Sequence, residues 1–336
     1  MNSGLLIVGG GIGGLAAALA CGRQGVPVQL FERSAEFSEL GAGVQLGPNV
    51  VRRLQGWGLM PALHEVVSLP DALQVRSARS GALLGRIELG QRAQERYGAP
   101  YATVHRGDLH RLLLAAAQQQ AGVELRRGAR IDGVAVEGDG VRLQMAEGGS
   151  ATGRLALGAD GVWSRVRRGL LADGDPQPTG HMAYRALLPQ ADLPPALRAT
   201  GVDLWLGPDL HAVAYPVRRG TWLNLVVIVA GRAQGDLQGW DHAGVSDAVR
   251  QVLSGSTARL RDLAAAVSSW RLWHLQARPP VQGPGQMAQG RIALLGDAAH
   301  PMLPYLAQGA GMAIEDAHAL GLCLADQGLA PAALGH

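Results

Sequence analysis

The sequence contains no lysine, so all 30 residues of the Lys and Arg class are arginine. This absence excludes a Schiff-base lysine, a lysine general base and the lysine of a phosphate-binding P-loop. Acidic residues number 27, and the resulting net charge of +3 is too small to indicate a nucleic-acid partner. The basic balance is consistent with anionic small-molecule ligands.

Cysteine is almost absent as well. The two cysteines, Cys21 and Cys323, can build neither a disulfide framework nor a zinc cluster, and we expect no metal site. Uninterrupted apolar runs of the roughly 20 residues that cross a bilayer are missing too. The apolar start lacks the basic segment of a signal peptide, and five glycines between Gly9 and Gly14 interrupt it. These features predict a cytoplasmic protein without a membrane partner.

Apolar residues and glycine are abundant. Hydrophobic residues make up 47% of the 336 positions and charged residues 17%, enough for a large core in one large or two ordinary domains. The 48 glycines are scattered among apolar segments rather than clustered. They indicate tight turns and a close approach of the backbone to a ligand.

The first 32 residues have the pattern of a strand, a glycine turn, a helix and a second strand. The turn follows G-x-G-x-x-G at Gly9, Gly11 and Gly14, and Glu32 ends the second strand eighteen residues after Gly14. A dinucleotide-binding fingerprint has an acidic residue at about this distance. The free N–H groups at the helix start attract a pyrophosphate, and Glu32 can accept hydrogen bonds from ribose hydroxyls. The alternative is a glycine-rich turn in an unrelated α/β protein.

The remaining pattern places α/β segments at both ends of the chain and a mostly β segment between them. Short strands with glycine turns predict a meander over 123–157, strands dominate 181–229, and Asp108 is expected to cap a helix. A further helix is expected over 243–253. We therefore predict an α/β fold in which a mostly β domain is inserted into a Rossmann-like domain. The first domain is predicted to comprise residues 1–70, 100–175 and 283–336, and the inserted one 71–99 and 176–282.

Three separated segments share one resemblance. They are VGGGIGGLAAALA with FER after it, GADGVWSRVR over 158–167, and GRIALLGDAAHPMLPYLAQGAGMAIEDA over 290–317. Together they resemble the class A FAD-dependent aromatic hydroxylases, the salicylate and hydroxybenzoate hydroxylase group, over nearly the whole chain. The segments GAGVQLGPN, VHRGDLH, TGHMAYRALLP and HAVAYPVRRG are most similar to the branch of 3-hydroxybenzoate 6-hydroxylase and 6-hydroxynicotinate 3-monooxygenase. Family members continue with further helices, so we expect truncated C-terminal helices in a hydroxybenzoate hydroxylase-like fold.

The resemblance implies FAD in the glycine-rich site, with NADH or NADPH as a transient reductant that has no second G-x-G-x-x-G of its own. The residues implied in FAD binding beyond the fingerprint are Arg33, Arg106, Asp160, Gly296, Asp297, Gly309 and Gly311. Asp297 ends a buried strand, where it can bond ribityl hydroxyls, and the two later glycines open a helix whose amides can face the flavin. The alternatives stay open: both aspartates can simply shape turns, and both arginines can be solvated.

His211, Tyr215 and Gln45 are the candidate catalytic residues. The first two share one face of a strand, because side chains alternate along it, and they can bind or deprotonate a phenol if that face lines the cavity. Gln45 matches a polar position near the substrate in the branch. The competing interpretations are a core histidine with a packing tyrosine, and an amide that stabilises a loop.

Three further residues are weighed for the site. Arg185 and Arg218 are expected to be surface arginines, with pairing to a substrate carboxylate as the alternative. Tyr305 follows the Gly-Asp strand and is expected to cover the flavin.

The resemblance implies a flavoprotein monooxygenase of aromatic-compound catabolism. It would use NAD(P)H and O2 to hydroxylate a small phenolic or aromatic acid through a flavin C4a-hydroperoxide, as a possible homodimer. Two other functions stay open. One is an FAD-binding protein without productive catalysis, such as a sensor or a truncated remnant. The other is the same fold acting on a larger polycyclic or isoprenoid substrate.

Overall fold

The computed structural model describes residues 4–37, 42–231 and 246–335. The strands are β1 (Leu5–Val8), β2 (Val28–Glu32), β3 (Gly43–Leu46), β4 (Val67–Ser68), β5 (Ala72–Ser77), β6 (Leu83–Glu88), β7 (Ala102–His105), β8 (Val123–Arg127), β9 (Ile131–Glu137), β10 (Gly140–Met145), β11 (Ser150–Gly153), β12 (Leu155–Gly158), β13 (Gln177–Pro189), β14 (Val202–Gly207), β15 (Leu210–Val217), β16 (Trp222–Ala230), β17 (Arg271–Ala277), β18 (Ala288–Gln289) and β19 (Ile292–Leu294). The helices are α1 (Ile12–Arg23), α2 (Pro48–Gly56), α3 (Met60–His64), α4 (Gly90–Tyr97), α5 (Arg106–Gln118), α6 (Arg165–Leu171), α7 (Ser246–Val252), α8 (Ala258–Ala265), α9 (Pro284–Met287) and α10 (Gly309–Gln327).

The predicted strand, turn, helix and strand at the start of the chain are confirmed as β1, α1 and β2. They lie in a six-stranded sheet of order β18-β19-β12-β1-β2-β8, in which every pair is parallel except β18 with β19. β1 is central and buried along its whole length. Its apolar residues suit a strand that is covered on both faces, as in doubly wound α/β folds.

Helix α1 packs against α10. Small residues permit the close approach: a Cβ on Gly321 would lie 3.1 Å from Ala20 Cβ, and one on Gly13 would lie 3.2 Å from Ala313 Cβ. Because Gly13 and Ala313 belong to the N-terminal halves of their helices, the two helix N-termini lie side by side. This arrangement places the start of α10 near the glycine turn between β1 and α1.

The second large sheet has seven strands in the order β17-β13-β16-β15-β14-β5-β6. One face is covered by α7 and α8, which bury Val249 and Leu263 against it. The other face contacts the segment after β19, where Leu303 and Tyr305 pack on Ala183 and Ile228. Its strands come from residues 72–88 and 177–277. The division of the chain into two domains stays a prediction.

Two three-stranded sheets complete the fold, β11-β10-β9 and β3-β7-β4. The meander expected over 123–157 is therefore only partly right: β9, β10 and β11 form it, whereas β8 and β12 belong to the parallel sheet. The helix expected over 243–253 is present as α7 from Ser246, and positions 243–245 lie outside the described residues.

The prediction that Asp108 caps a helix is wrong. Helix α5 begins at Arg106, with His105 at its N-cap, so Asp108 lies inside the first turn. Its buried carboxylate accepts a hydrogen bond from Arg218 Nε at 2.9 Å and a second one from Arg111. A carboxylate in the first turn is favourable for the helix dipole without being the cap.

No helix within the described ranges is long and apolar enough to span a membrane. Over the same residues, no group of three His, Cys, Asp or Glu side chains is placed to hold a metal ion.

Candidate active site

The glycine turn between β1 and α1 leaves no room for side chains at two of its three fingerprint positions. A Cβ on Gly14 would lie 1.9 Å from the Gly9 carbonyl oxygen, and a Cβ on Gly9 would lie 2.4 Å from the Ala159 carbonyl oxygen. Gly9 also has a φ of +106°, a conformation that L side chains rarely adopt. At Gly11, in contrast, a Cβ would meet nothing within 4 Å, so the space before the first turn of α1 is open.

Two side chains fix the backbone of this turn. The Glu32 carboxylate at the end of β2 accepts hydrogen bonds from Gly10 N–H at 2.7 Å and from Ser34 N–H at 2.8 Å. His110 of α5 contacts the Gly10 carbonyl oxygen through Nε2 at 2.8 Å, and its ring packs on Phe37. The turn is thus held in one shape, with Glu32 placed at the edge where a ribose would lie.

Asp297 lies next to the N-terminus of α10. A Cβ on Gly309 would be 3.7 Å from Asp297 Oδ1, and a Cβ on Gly311 would be 2.9 Å from the Val50 side chain. Asp297 is exposed, yet protein surrounds it closely, and desolvation raises its pKa while the charges of His300 and Arg106 oppose this rise. Desolvation lowers the pKa of Arg106, at the start of α5, and the charge of Asp297 opposes this decrease.

Asp316 of α10 holds the turn that carries Asp297. Its Oδ2 accepts hydrogen bonds from Gly296 N–H at 3.0 Å and from His300 Nε2 at 2.7 Å. The same contact raises the pKa of His300. Sequence reasoning did not single out Asp316, although it lies in the late family segment.

Asp160 follows β12 and pairs with the first backbone N–H groups of α6, a helix whose N-cap is Ser164. Its Oδ2 accepts hydrogen bonds from the backbone N–H groups of Arg165 at 2.7 Å and Val166 at 3.3 Å. Oδ1 is buried and has no hydrogen-bond partner, and desolvation raises the Asp160 pKa. The structure therefore shows that Asp160 stabilises the first turn of α6, and its role toward a cofactor stays a prediction.

These residues fit an extended dinucleotide such as FAD. The open space at Gly11 faces the N-terminal N–H groups of α1, which suits a pyrophosphate. Glu32 can accept the hydroxyls of one sugar, and Asp297 offers an acceptor to a polyol beside the second helix N-terminus. Arg33 is exposed, which is compatible with either of its two predicted roles.

The substrate candidates lie on the face of the seven-stranded sheet that contacts the segment after β19. His211 pairs with Ile228 and Tyr215 pairs with Asn224, and residues in register project to one side of a sheet. Tyr305 contacts the end of this face where His181 and His211 lie: its hydroxyl bonds His181 Nδ1 at 2.5 Å, and its ring lies 5.1 Å from the His211 ring in an edge-on arrangement. Burial lowers the pKa of His211.

Gln45 lies next to Tyr215. The hydroxyl of Tyr101 donates to Gln45 Oε1, and Tyr215 is hydrogen-bonded to the same amide. Gly43 permits this packing, because a Cβ there would lie 2.4 Å from the Tyr215 ring. Burial raises the pKa of Tyr215 well above its usual range, so its hydroxyl stays protonated.

The structure divides the predicted catalytic residues into two clusters on one face. Tyr215 and Gln45 form one with Tyr101, and His211 forms the other with Tyr305. The expectation that Arg218 is an ordinary surface arginine is wrong, because it pairs with buried Asp108.

Comparison with known proteins agrees with this geometry. The sequence profile of the family described as FAD binding domain matches residues 3–332. The 3-hydroxybenzoate 6-hydroxylase of Klebsiella oxytoca is 40% identical over 320 residues, which cover 95% of this chain and 79% of that protein. The 6-hydroxynicotinate 3-monooxygenase of Bordetella bronchiseptica is 37% identical, covering 97% of this chain and 83% of that protein.

Two solved structures have the same fold. HpxO of Klebsiella pneumoniae, complexed with FAD and uric acid, superposes with a TM-score of 0.84 at 25% identity, covering 99% of this chain and 82% of that one. A salicylate hydroxylase substrate complex gives a TM-score of 0.80 at 27% identity, covering 97% and 80%.

The fold and the glycine turn define a flavoprotein of the Rossmann-like class, with FAD as its cofactor. The chain belongs to the FAD binding domain family, among the flavin-dependent aromatic hydroxylases, and is an oxidoreductase for which NAD(P)H is the typical reductant.

Proposed function

We propose that this protein hydroxylates a small phenolic or aromatic acid, with NAD(P)H as the reductant and O2 as the oxygen source. The observation that carries the proposal is the placement of His211 and Tyr215 on one sheet face, against the segment that connects Asp297 to α10. The names of the relatives, which specify hydroxybenzoate and hydroxynicotinate, support the substrate class.

The protein groups bind and orient the substrate and move its proton. FAD, when bound and reduced, supplies the activation of O2. Tyr215 stays a neutral phenol and can donate a hydrogen bond to a substrate oxygen. His211 is neutral at pH 7 because burial lowers its pKa, so its free nitrogen can accept the proton of a substrate phenol. Tyr305 and Leu303 cover the face and limit the entry of water.

A substrate panel tests the proposal. We expect 3-hydroxybenzoate, 6-hydroxynicotinate or salicylate to accelerate NAD(P)H oxidation by the FAD-loaded protein and to yield a hydroxylated product. Tight FAD binding with no acceleration by any compound would favour a protein without productive catalysis. Acceleration only by polycyclic or isoprenoid compounds would move the substrate to the larger class.

The His211→Gln variant is expected to lose roughly 100-fold in hydroxylation rate and to keep its FAD, because the general base is removed. The lowered His211 pKa predicts an acid limb of the wild-type pH profile below about pH 6.5. This limb is absent from the variant, since glutamine does not titrate.

His318→Gln is the matched control for this measurement. His318 also has a pKa lowered by desolvation, but it packs against Trp57. Its replacement should leave the acid limb in place. An unchanged limb in His211→Gln would contradict the assignment of the base.

A homodimer and a cytoplasmic location are part of the same proposal. Light scattering on the purified FAD-loaded protein tests the first, and fractionation of the producing cells tests the second.

A further inference from the structure

One arginine on the substrate face has no anionic partner in the part of the chain that the structure describes. Arg185 of β13 is half-buried, its Nε is shut off from solvent, and this atom has no hydrogen-bond partner. Its guanidinium lies over the ring of Trp273, with Cζ 3.8 Å from the ring centroid. The expectation that Arg185 is an ordinary surface arginine is therefore wrong.

Two other arginines, Arg106 and Arg218, have acidic residues that offset their charge. Arg106 interacts with Asp297, and Arg218 forms an ion pair with Asp108 at 2.9 Å. Arg185 is affected instead by Tyr215 and by the like charge of Arg106, and burial lowers its pKa to about 9. A cation that is desolvated without a counterion is destabilised, and an anionic ligand would reverse this.

The position of Arg185 complements that of the two catalytic candidates. In the sheet register, Arg185 pairs with Val226, and Val226 pairs with Val213, which lies between His211 and Tyr215 on the same face. Two strand spacings of about 4.8 Å separate β13 from β15, so the backbone of Arg185 lies roughly 10 Å from that of Val213 across the sheet, with the side chains on the same face. A benzene ring with substituents at two positions can extend from one side to the other.

A second donor without a hydrogen-bond partner among the described residues, Asn224 Nδ2, lies on this face. Asn224 is fully buried, and its Oδ1 accepts a hydrogen bond from Gly43 N–H at 2.7 Å. That bond fixes the amide orientation and leaves Nδ2 without a partner. The substrate face therefore holds a surplus of donors, next to a guanidinium whose planar fork suits two carboxylate oxygens.

We propose that Arg185 binds the carboxylate of the aromatic substrate and makes the site selective for acids. The inference rests on the proposed function and assigns the group that recognises its substrate class. With the carboxylate at Arg185, the hydroxylated side of the ring points toward β15, where His211 and Tyr215 lie.

Binding titrations followed by the absorbance of bound FAD test the inference without turnover. The probes are two matched pairs, 3-hydroxybenzoate with 3-hydroxybenzamide and salicylate with salicylamide, which differ only in the charged group. Wild-type protein should bind one acid much more tightly than its amide. Arg185→Met should weaken binding of that acid roughly 100-fold, the scale of a charge-assisted pair, and leave the amide unchanged. Arg185→Lys should recover part of the acid binding.

Arg271→Met is the control, because Arg271 pairs with Arg185 in the register of β13 and β17 but is exposed. It should leave both affinities unchanged. Three results would overturn the role of Arg185 without affecting the proposed function: an acid preference that persists in Arg185→Met, equal weakening of acid and amide binding, or loss of FAD. If no acid or amide binds the wild-type protein, the proposed function falls with it.

Discussion

Gly14→Ala should weaken FAD binding at least roughly 100-fold relative to the wild type. The added Cβ would lie 1.9 Å from the Gly9 carbonyl oxygen, so the turn must move. Gly9 in turn contacts the backbone at Ala159, and the movement displaces the N–H groups that face the pyrophosphate. Fluorescence titration of the deflavinated protein with FAD measures the loss, and circular dichroism shows whether the fold persists.

Gly169→Ala is the matched control, because Gly169 also lies in a helix, α6, but a Cβ there meets nothing within 4 Å. Removing a helical glycine of this kind should stabilise the protein by about 0.5–1 kcal/mol and leave FAD affinity unchanged. Full FAD binding by Gly14→Ala would contradict the role given to the glycine turn.

Arg167→Met should lower the free energy of unfolding by about 3 kcal/mol, the lower end of the range for breaking a buried ion pair. The Arg167 side chain is 1% exposed, and its Nε donates to Asp173 Oδ2 at 2.6 Å. Its terminal nitrogens donate to carbonyl oxygens of Ala299 at 2.8 Å and Pro279 at 2.6 Å. The lower end applies because Arg278 keeps Asp173 paired at 2.9 Å.

The Arg167 variant should also bind FAD more weakly, because Ala299 belongs to the turn that carries Asp297. Urea unfolding and FAD titration measure the two effects. Arg165→Met is the control on the same helix: its partner Asp132 is exposed, so the loss should be at most about 1 kcal/mol. Equal losses in the two variants would show that burial of Arg167 is not the cause.

The cofactor half of the site is predictable from sequence because its signals are local. Glycines that precede a helix, and an acid at the end of the next strand, lie within 32 residues of the start. Each acts through backbone conformation or through a neighbouring strand. The late Gly-Asp segment is predictable for the same reason, since a buried strand and a glycine-rich helix start flank it.

The substrate half is less predictable because its contacts join distant segments. Gln45 meets Tyr101 from 56 positions away, and Gly43 meets Asn224 from 181 positions away. Strand alternation does indicate which face of the sheet carries Arg185. Tyr184 and Ala186 face the helices α7 and α8, so Arg185 between them must face the cleft rather than the outer surface. An Asp before an apolar helical segment likewise predicts an N-cap, and only the tertiary contact with Arg218 shows that Asp108 is a buried ion-pair partner.

The origin of the oxygen in the product tests the central claim most directly. The FAD-loaded protein is supplied with NAD(P)H, an aromatic acid that accelerates its oxidation, and 18O2 in unlabelled water, and the product is analysed by mass spectrometry. The account predicts one 18O atom in each molecule of hydroxylated product. A product whose new oxygen comes from water, or NAD(P)H oxidation that yields only hydrogen peroxide with every acid, would contradict it.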